Sequence, residues 1–134
     1  MHENVNFRHT IFVVEEDNNV RRSLTRDLRQ CGYRLLVSTN VEDALDWMEG
    51  EYIHADLVLV DLLGKLPREA LSIARRLREY CKYDGHTPLV VMPEEISANL
   101  EGTDEKVNDL EWICHYEDFD QLKRLLARLL NRSE

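Results

Sequence analysis

Three cysteines occur in 134 residues, and no two of them form a CxxC pair. Cys31, Cys81 and Cys114 are odd in number and widely spaced, which argues against a disulfide framework or a structural zinc site and suits reduced cytoplasmic thiols. Only five glycines and three prolines are present, and no repeat or low-complexity stretch interrupts the chain. A membrane-spanning helix needs about 20 consecutive apolar residues, and no run here approaches that length. The start, Met1-His2-Glu3-Asn4, also lacks the basic-then-apolar pattern of a secretion signal. The expectation is one soluble cytoplasmic domain over residues 1–134 with its core at about 9–131, long enough for one packed core and too short for two ordinary ones. No Walker loop, GxGxxG or Ser/His/Asp set is found either.

Base is scarce in one place. Between Glu94 and Asp120 lie ten acidic residues against the single base Lys106, so this segment holds the whole net charge of −9 while the rest balances. A surface of that sign disfavours nucleic acid and would steer toward a basic partner. The alternative is a face that is simply solvated.

What is there is an alternation of strand and helix signals, the pattern of a parallel sheet covered on both faces. Strands are predicted at Thr10–Val14, Arg34–Ser38, Leu57–Asp61, Leu89–Met92 and Glu111–His115. Helical spacing predicts Asn18–Gln30, ended by Gly32, and Arg68–Cys81, with Leu71, Ala74, Leu77 and Cys81 inward. Thr39 and Glu42 have capping-box spacing before a helix running to about Gly50, and Asp118 with Gln121 opens a last apolar-faced helix. Residues 94–110 carry the weakest pattern, with Ile96, Leu100 and Val107 as aliphatic anchors and Gly102-Thr103-Asp104 as an interruption; a short or mobile fourth helix is expected there.

Two acidic clusters end apolar runs: Glu15-Glu16-Asp17 after Ile11-Phe12-Val13-Val14, and Asp61 after Leu57-Val58-Leu59-Val60. Ligands of open parallel sheets bind at the carboxyl ends of strands. Neighbouring strands would bring these carboxylates together, and their repulsion calls for a cation, a proton or a base.

These motifs, with Arg21-Arg22 after the first cluster and Asp56 before the third strand, resemble the receiver domain of bacterial two-component response regulators across about residues 9–131. The resemblance implies a flavodoxin-like (CheY-like) α/β three-layer sandwich, a doubly wound five-stranded parallel sheet with five helices. It implies that Asp61 accepts a phosphoryl group from a histidine kinase, and that Glu15, Glu16, Asp61 and the Leu63 carbonyl hold Mg²⁺. Such a domain is a regulatory phosphoacceptor and not an enzyme beyond self-catalysed phosphotransfer. Its partners are a histidine kinase or another signalling protein.

The same resemblance marks departures. Where the family carries a Thr or Ser followed by a small residue, this chain has Pro93 and Glu94; where the family has Lys-Pro, it has His115-Tyr116. Proline offers neither hydroxyl nor amide hydrogen, and Glu94 adds negative charge where phosphate oxygens would sit. Glu16 is one methylene longer than the usual direct ligand of an ion that enforces tight octahedral geometry, so Mg²⁺ binding is expected to be weak. His115 with Glu16 and Asp61 could alternatively suit Mn or Zn. Trp112 matches an aromatic switch position, or else shields a strand edge, and Cys114 reads as a small buried hydrophobe. The expectation is an atypical receiver with impaired phosphorylation, acting by protein contact through a face containing Glu105, Asp109 and Glu111, toward a basic heterologous partner or a homodimer formed elsewhere. The alternative is a conventional phosphorylation-driven switch.

A flavodoxin-type cofactor binder would need a Gly/Ser/Thr-rich phosphate loop where Glu15-Glu16-Asp17-Asn18-Asn19 stands. A haloacid-dehalogenase-type phosphatase would need a second Asp two residues after Asp61, where Leu63 stands.

Overall fold

The short apolar runs become strands, and those at Thr10–Glu15, Leu57–Asp61 and Leu89–Val91 are buried on both faces. The computed structural model describes residues 9–49, 54–79, 86–93 and 99–131. Its strands are β1 (Thr10–Glu15), β2 (Arg34–Ser38), β3 (Leu57–Asp61), β4 (Leu89–Val91), β5 (Asp104–Asn108) and β6 (Glu111–Cys114). They form one sheet in the order β2-β1-β3-β4-β6-β5, parallel throughout except for β5, which runs antiparallel to β6 at the edge. The helices are α1 (Asn18–Gln30), α2 (Val41–Glu49), α3 (Pro67–Arg78) and α4 (Phe119–Leu130).

Strand alternation sorts the core into two layers. Phe12, Val14, Val58, Val60, Leu89 and Val91 face α2 and α3, meeting Ala44, Ala70, Leu71, Ala74 and Leu77. Ile11, Val13, Leu57, Leu59, Val90, Met92 and Cys114 face α1 and α4, meeting Leu24, Leu28, Leu122, Leu125 and Leu126. Among the described residues no helix is long and apolar enough to cross a membrane.

Local chemistry sets the helix ends. Asp17 caps α1 by accepting the amides of Asn19 and Val20, and Asp118 caps α4 by accepting that of Gln121. Gly32, at φ 92°, lets Tyr33 N–H reach back to Leu28 O at the end of α1. The expected Thr39/Glu42 cap is displaced by one residue: Asn40 Oδ1 accepts Asp43 N–H at 2.7 Å, and Asn40 Nδ2 donates to the Asp43 carboxylate. Asn is as good an N-cap as Ser, so the neighbouring pair at the same spacing wins. Helix α3 starts at Pro67, suited to a first helical position, and Glu69 reaches back to the Leu66 amide. Cys81 lies outside the described residues.

The main difference from expectation is in residues 99–110. The fold class is as expected, but the sheet has six strands, and the described residues contain four helices. In the described part of that stretch the chain turns at residues 99–102 and returns as β5, while residues 94–98 lie outside the described residues. Gly102 adopts φ 85°, a left-handed conformation that L side chains rarely take, so the turn favours glycine. Gly102 N–H then donates to His115 O, and His115 N–H to Thr103 O, which zips the new strand to β6. Of the expected anchors, Leu100 and Val107 are exposed, and Ile96 lies outside the described residues. Asn108 closes the hairpin by accepting Leu110 N–H, an Asx-type turn that Asn108-Asp109 could have signalled.

Glu111, placed by the sequence reading on an exposed partner face, is instead 4% exposed. Arg75 bonds its carboxylate through Nε and Nη2, Arg78 adds a contact at 3.1 Å, and Asn108 donates at 2.9 Å. The Arg75 guanidinium holds the Glu111 carboxyl below its ordinary value of 4.5 against the opposing effect of burial. The stability this contributes is present above pH 4.5 and is lost as pH falls through the lowered folded-state value. Glu111→Ala should therefore cost roughly 2 kcal/mol or more at pH 7. Urea denaturation at neutral and acidic pH should show that deficit shrinking as wild-type Glu111 becomes protonated.

Candidate functional site

Parallel register brings the two acidic clusters together. Glu15 and Asp61 are direct partners across β1 and β3, at the carboxyl edge of the sheet. Glu15 is fully buried, and its Oε2 accepts Asp17 N–H at 3.2 Å. Oε1 is buried and accepts from no protein donor, and the neighbouring Asp61 carboxylate disfavours ionisation of Glu15. Burial first, then the hydrogen bond and charge of Asp61, push the Glu15 carboxyl from 4.5 up to about 9. Glu15 thus sits at this edge as a neutral acid at pH 7.

Glu16 is turned elsewhere. Its Oε1 accepts Leu63 N–H at 2.8 Å, tying the loop after β3 to the end of β1, and Glu16 N–H bonds Asp61 O. Arg21 donates to Glu15 O at 2.9 Å and to Asn18 Oδ1, so its guanidinium serves the first turn of α1.

Asp61 opens onto a cavity of about 360 Å³ lined also by Asp17, Val20, Ser23, Leu24, Leu63, Met92, Pro93 and Tyr116. No Lys, Arg or His is among these residues. Pro93 is where the sequence placed it, at the end of β4 and in the cavity wall. Glu94 lies outside the described residues.

His115 is not in the cavity. Glu111, Ile113 and His115 occupy alternate positions, as do Trp112, Cys114 and Tyr116, and it is the second set that packs with the α1–α4 layer. The His115 ring, 5% exposed, sits 3.1 Å from Glu105 on β5 through Nε2, while Nδ1 is buried without a partner. Tyr116 takes the cavity-lining place, which sequence reading missed; counting strand parity back from Cys114 would have found it.

Trp112 packs partly buried against α4, with Arg128 4.8 Å above its ring. Cys114 is buried, and desolvation pushes its thiol well above the ordinary range, in keeping with an inert hydrophobe. Of the remaining partner-face residues, Glu105 and Asp109 are exposed, and Asp109 pairs with Lys106 at 3.0 Å.

Among the described residues no group of three or more His, Cys, Asp or Glu side chains is arranged to hold a metal ion. Glu15 and Asp61 meet, but Glu16 spends an oxygen on the Leu63 amide, and His115 faces away. The side chains as placed do not fit a preformed Mg²⁺ site.

A doubly wound sheet with a cavity at the carboxyl end of its central strands is the flavodoxin-like architecture. Solved structures define it further. The chain matches a response regulator receiver protein from Sinorhizobium medicae WSM419 at 18% identity and a TM-score of 0.66, over 94% of this chain and 97% of that one. It matches a response regulator from Thermotoga maritima at 22% identity and a TM-score of 0.62, over 92% and 98%. A third match, at 19% identity and a TM-score of 0.62 over 92% and 98%, is the receiver domain of a sensor histidine kinase from Pseudomonas aeruginosa PAO1, which has a magnesium ion coordinated in its active-site cleft. No protein-family model and no curated protein matches the chain. The chain has the receiver-domain fold.

Glu15 makes stability depend on pH in a defined direction. Between 4.5 and about 9 the unfolded chain releases a proton that the folded chain keeps, so stability falls as pH rises through this window. Glu15→Gln keeps the neutral form's shape and removes the dependence. The variant should match wild type near pH 4.5 and exceed it by roughly 1–3 kcal/mol at pH 7. Melting curves that stay parallel from pH 5 to 8 would show that Glu15 is not the proton carrier.

Proposed function

We propose that the chain is a receiver-type module of two-component signalling that works through protein contacts, with phosphoryl acceptance at Asp61 impaired. The observation that carries this reading is the lining of the Asp61 cavity, which among the described residues contains two carboxylates and no Lys, Arg or His. Transfer of a phosphoryl group to a carboxylate brings anion to anion, and its catalysis is largely charge neutralisation and positioning. Here the position taken by Lys in the family is turned toward Glu105, and Pro93 lines the wall where a hydroxyl would be needed.

A conventional switch remains the second reading. It is favoured by Asp61 itself, which ends a central strand and faces an open cavity.

Incubation with acetyl phosphate and millimolar Mg²⁺, followed by intact-mass spectrometry, separates the two. Little or no phosphoryl adduct is expected, with only weak, unsaturated amide shifts at Glu15, Glu16 and Asp61 as Mg²⁺ is added. Rapid stoichiometric modification that vanishes in Asp61→Asn would establish the switch.

The contact surface proposed is the β5–β6 hairpin with α4, which carries the described part of the acidic segment. Its partner would be a basic signalling protein, since a homodimer through this edge would set like charges together. Glu111 belongs to the buried network with Arg75 and Arg78, so the surface acids are Glu105 and Asp109. Reversing both to Lys should weaken capture of a basic partner at least tenfold, and raising salt should weaken capture by the wild type, with the amide spectrum of the fold preserved. Unchanged capture would mean that the edge is only a solvated face.

A further inference from the structure

The two outer ends of the sheet carry opposite charge. Strand β2 lies at one end and β5 at the other, and five strand spacings set them roughly 24 Å apart. At the β2 end, α1 buries Leu24 and Leu28 against the sheet and presents Arg22, Arg26 and Arg29 as exposed side chains. Their spacing of i, i+4 and i+7 puts the three on one stripe of the helix. Every base of α1 is an arginine, and among the described residues the carboxylate bonded to this ridge is that of Asp27, which takes Arg26 at 3.3 Å. Arg21, Arg22 and Arg29 also line a groove that reaches Val37 on β2, and its described lining holds no acid.

Like charges four residues apart on a helix repel one another, so such a ridge is favoured by counter-charge from outside it. The arginines of α3 find theirs within the fold, because Arg75 and Arg78 bond Glu111. Matching acids for α1 stand at the far end of the sheet. Glu101, Glu105, Asp109 and Glu117 are exposed on the β5–β6 hairpin and at its base, with Lys106 as the one base between residues 101 and 117. Glu105 already lies against His115 and Asp109 against Lys106, yet their side chains stay 56% and 76% exposed. A carboxylate has room for several donors, and a guanidinium offers paired N–H groups that fit its two oxygens. Ridge and hairpin sit at opposite ends of one sheet, so they can meet only between molecules.

We propose that the chain assembles head to tail, the α1 arginine ridge of one copy docking on the acidic β5–β6 hairpin of the next. The inference deepens the reading that this hairpin recognises a basic surface, and it names that surface. A head-to-tail contact pairs unlike charges, whereas a two-fold contact through either end would pair like ones. It also leaves each terminal copy with one unused surface, so assembly continues into short chains or closes into a ring. Exposed ion pairs are individually weak, which makes the assembly dependent on protein concentration and on salt.

Sedimentation of the full chain over roughly 10 μM to 1 mM, the range in which weak contacts form, is the test. In about 0.1 M salt the average mass should climb with concentration, and in about 0.5 M salt it should fall back toward the monomer. Two variants separate the surfaces: Glu105→Gln with Asp109→Asn, and Arg22→Gln with Arg26→Gln and Arg29→Gln. All five positions are exposed, so both variants should keep the wild-type amide spectrum. Each alone should self-associate at least tenfold more weakly than wild type. Mixed together they should form an equimolar heterodimer and nothing larger, because one intact ridge then meets one intact hairpin and the remaining surfaces are disabled.

A wild type that stays monomeric throughout, a variant that assembles as wild type does, or a mixture that stays monomeric overturns the proposal. An immobilised arginine-rich peptide probes the hairpin by itself. If monomeric wild type binds this peptide and Glu105→Lys with Asp109→Lys does not, the hairpin reading stands and the self-assembly inference alone fails. If the peptide is not bound either, both fail together.

Discussion

The contact between Glu15 and Asp61 is the constraint around which the carboxyl edge is arranged. It follows from register: Ile11 opposite Leu57 forces Glu15 opposite Asp61 four residues later. Two carboxylates at that separation, one of them with no access to water, cannot both stay ionised, and the buried one keeps its proton. A neutral Glu15 satisfies the edge without an ion, so the third carboxylate is free to take a structural bond. Glu16 does so at Leu63, and its side chain ties the loop that follows β3 to the end of β1.

The opposite margin of the sheet is governed by another buried acid. Glu111 draws Arg75 and Arg78 from α3 and Asn108 from the hairpin into one fully bonded cluster. A buried charge of this kind stabilises mainly by being costly to leave unpaired, so it specifies where α3 and the hairpin must sit. Asp104 and Glu105 of the same segment lie on β5, whose residues are nearly all exposed. A charged edge strand with an irregular register at Lys106/Asn108 resists pairing with another sheet, which makes side chains and not backbone the means of recognition there.

Much of this was legible in the sequence. The bounds of α1, β2 and β3 follow from apolar periodicity and from caps such as Asp17 and Gly32, because these elements are set by burial and by groups within one turn. Asp61 and Glu15 were placed correctly at adjoining strand ends for the same reason. Residues 104–108 were not, since Asp104-Glu105-Lys106-Val107-Asn108 has no apolar alternation, and its strand is made by pairing with β6, a partner that local pattern does not reveal. Glu111 was misplaced for a related reason. An acid at the start of a strand reads as exposed until its arginines, more than thirty residues earlier, are brought to it.

His115 and Tyr116 show how position and orientation separate. Counting residues from Pro93 puts His115 where a basic partner for Asp61 would stand, yet a strand turns alternate side chains to opposite faces. Trp112 and Cys114 are apolar and pack against α4, so the sheet settles with that set inward on the α1–α4 side, and Tyr116 follows them into the cavity. His115 is sent to the other face, and the zipping of Gly102 and Thr103 onto its backbone then places Glu105 beside it. Placing a lysine at this position would therefore add a cation to the hairpin and not to Asp61, because the hydrophobic demand of Trp112 and Cys114 sets which way the strand faces. The charge balance of the cavity is decided by packing one layer below it.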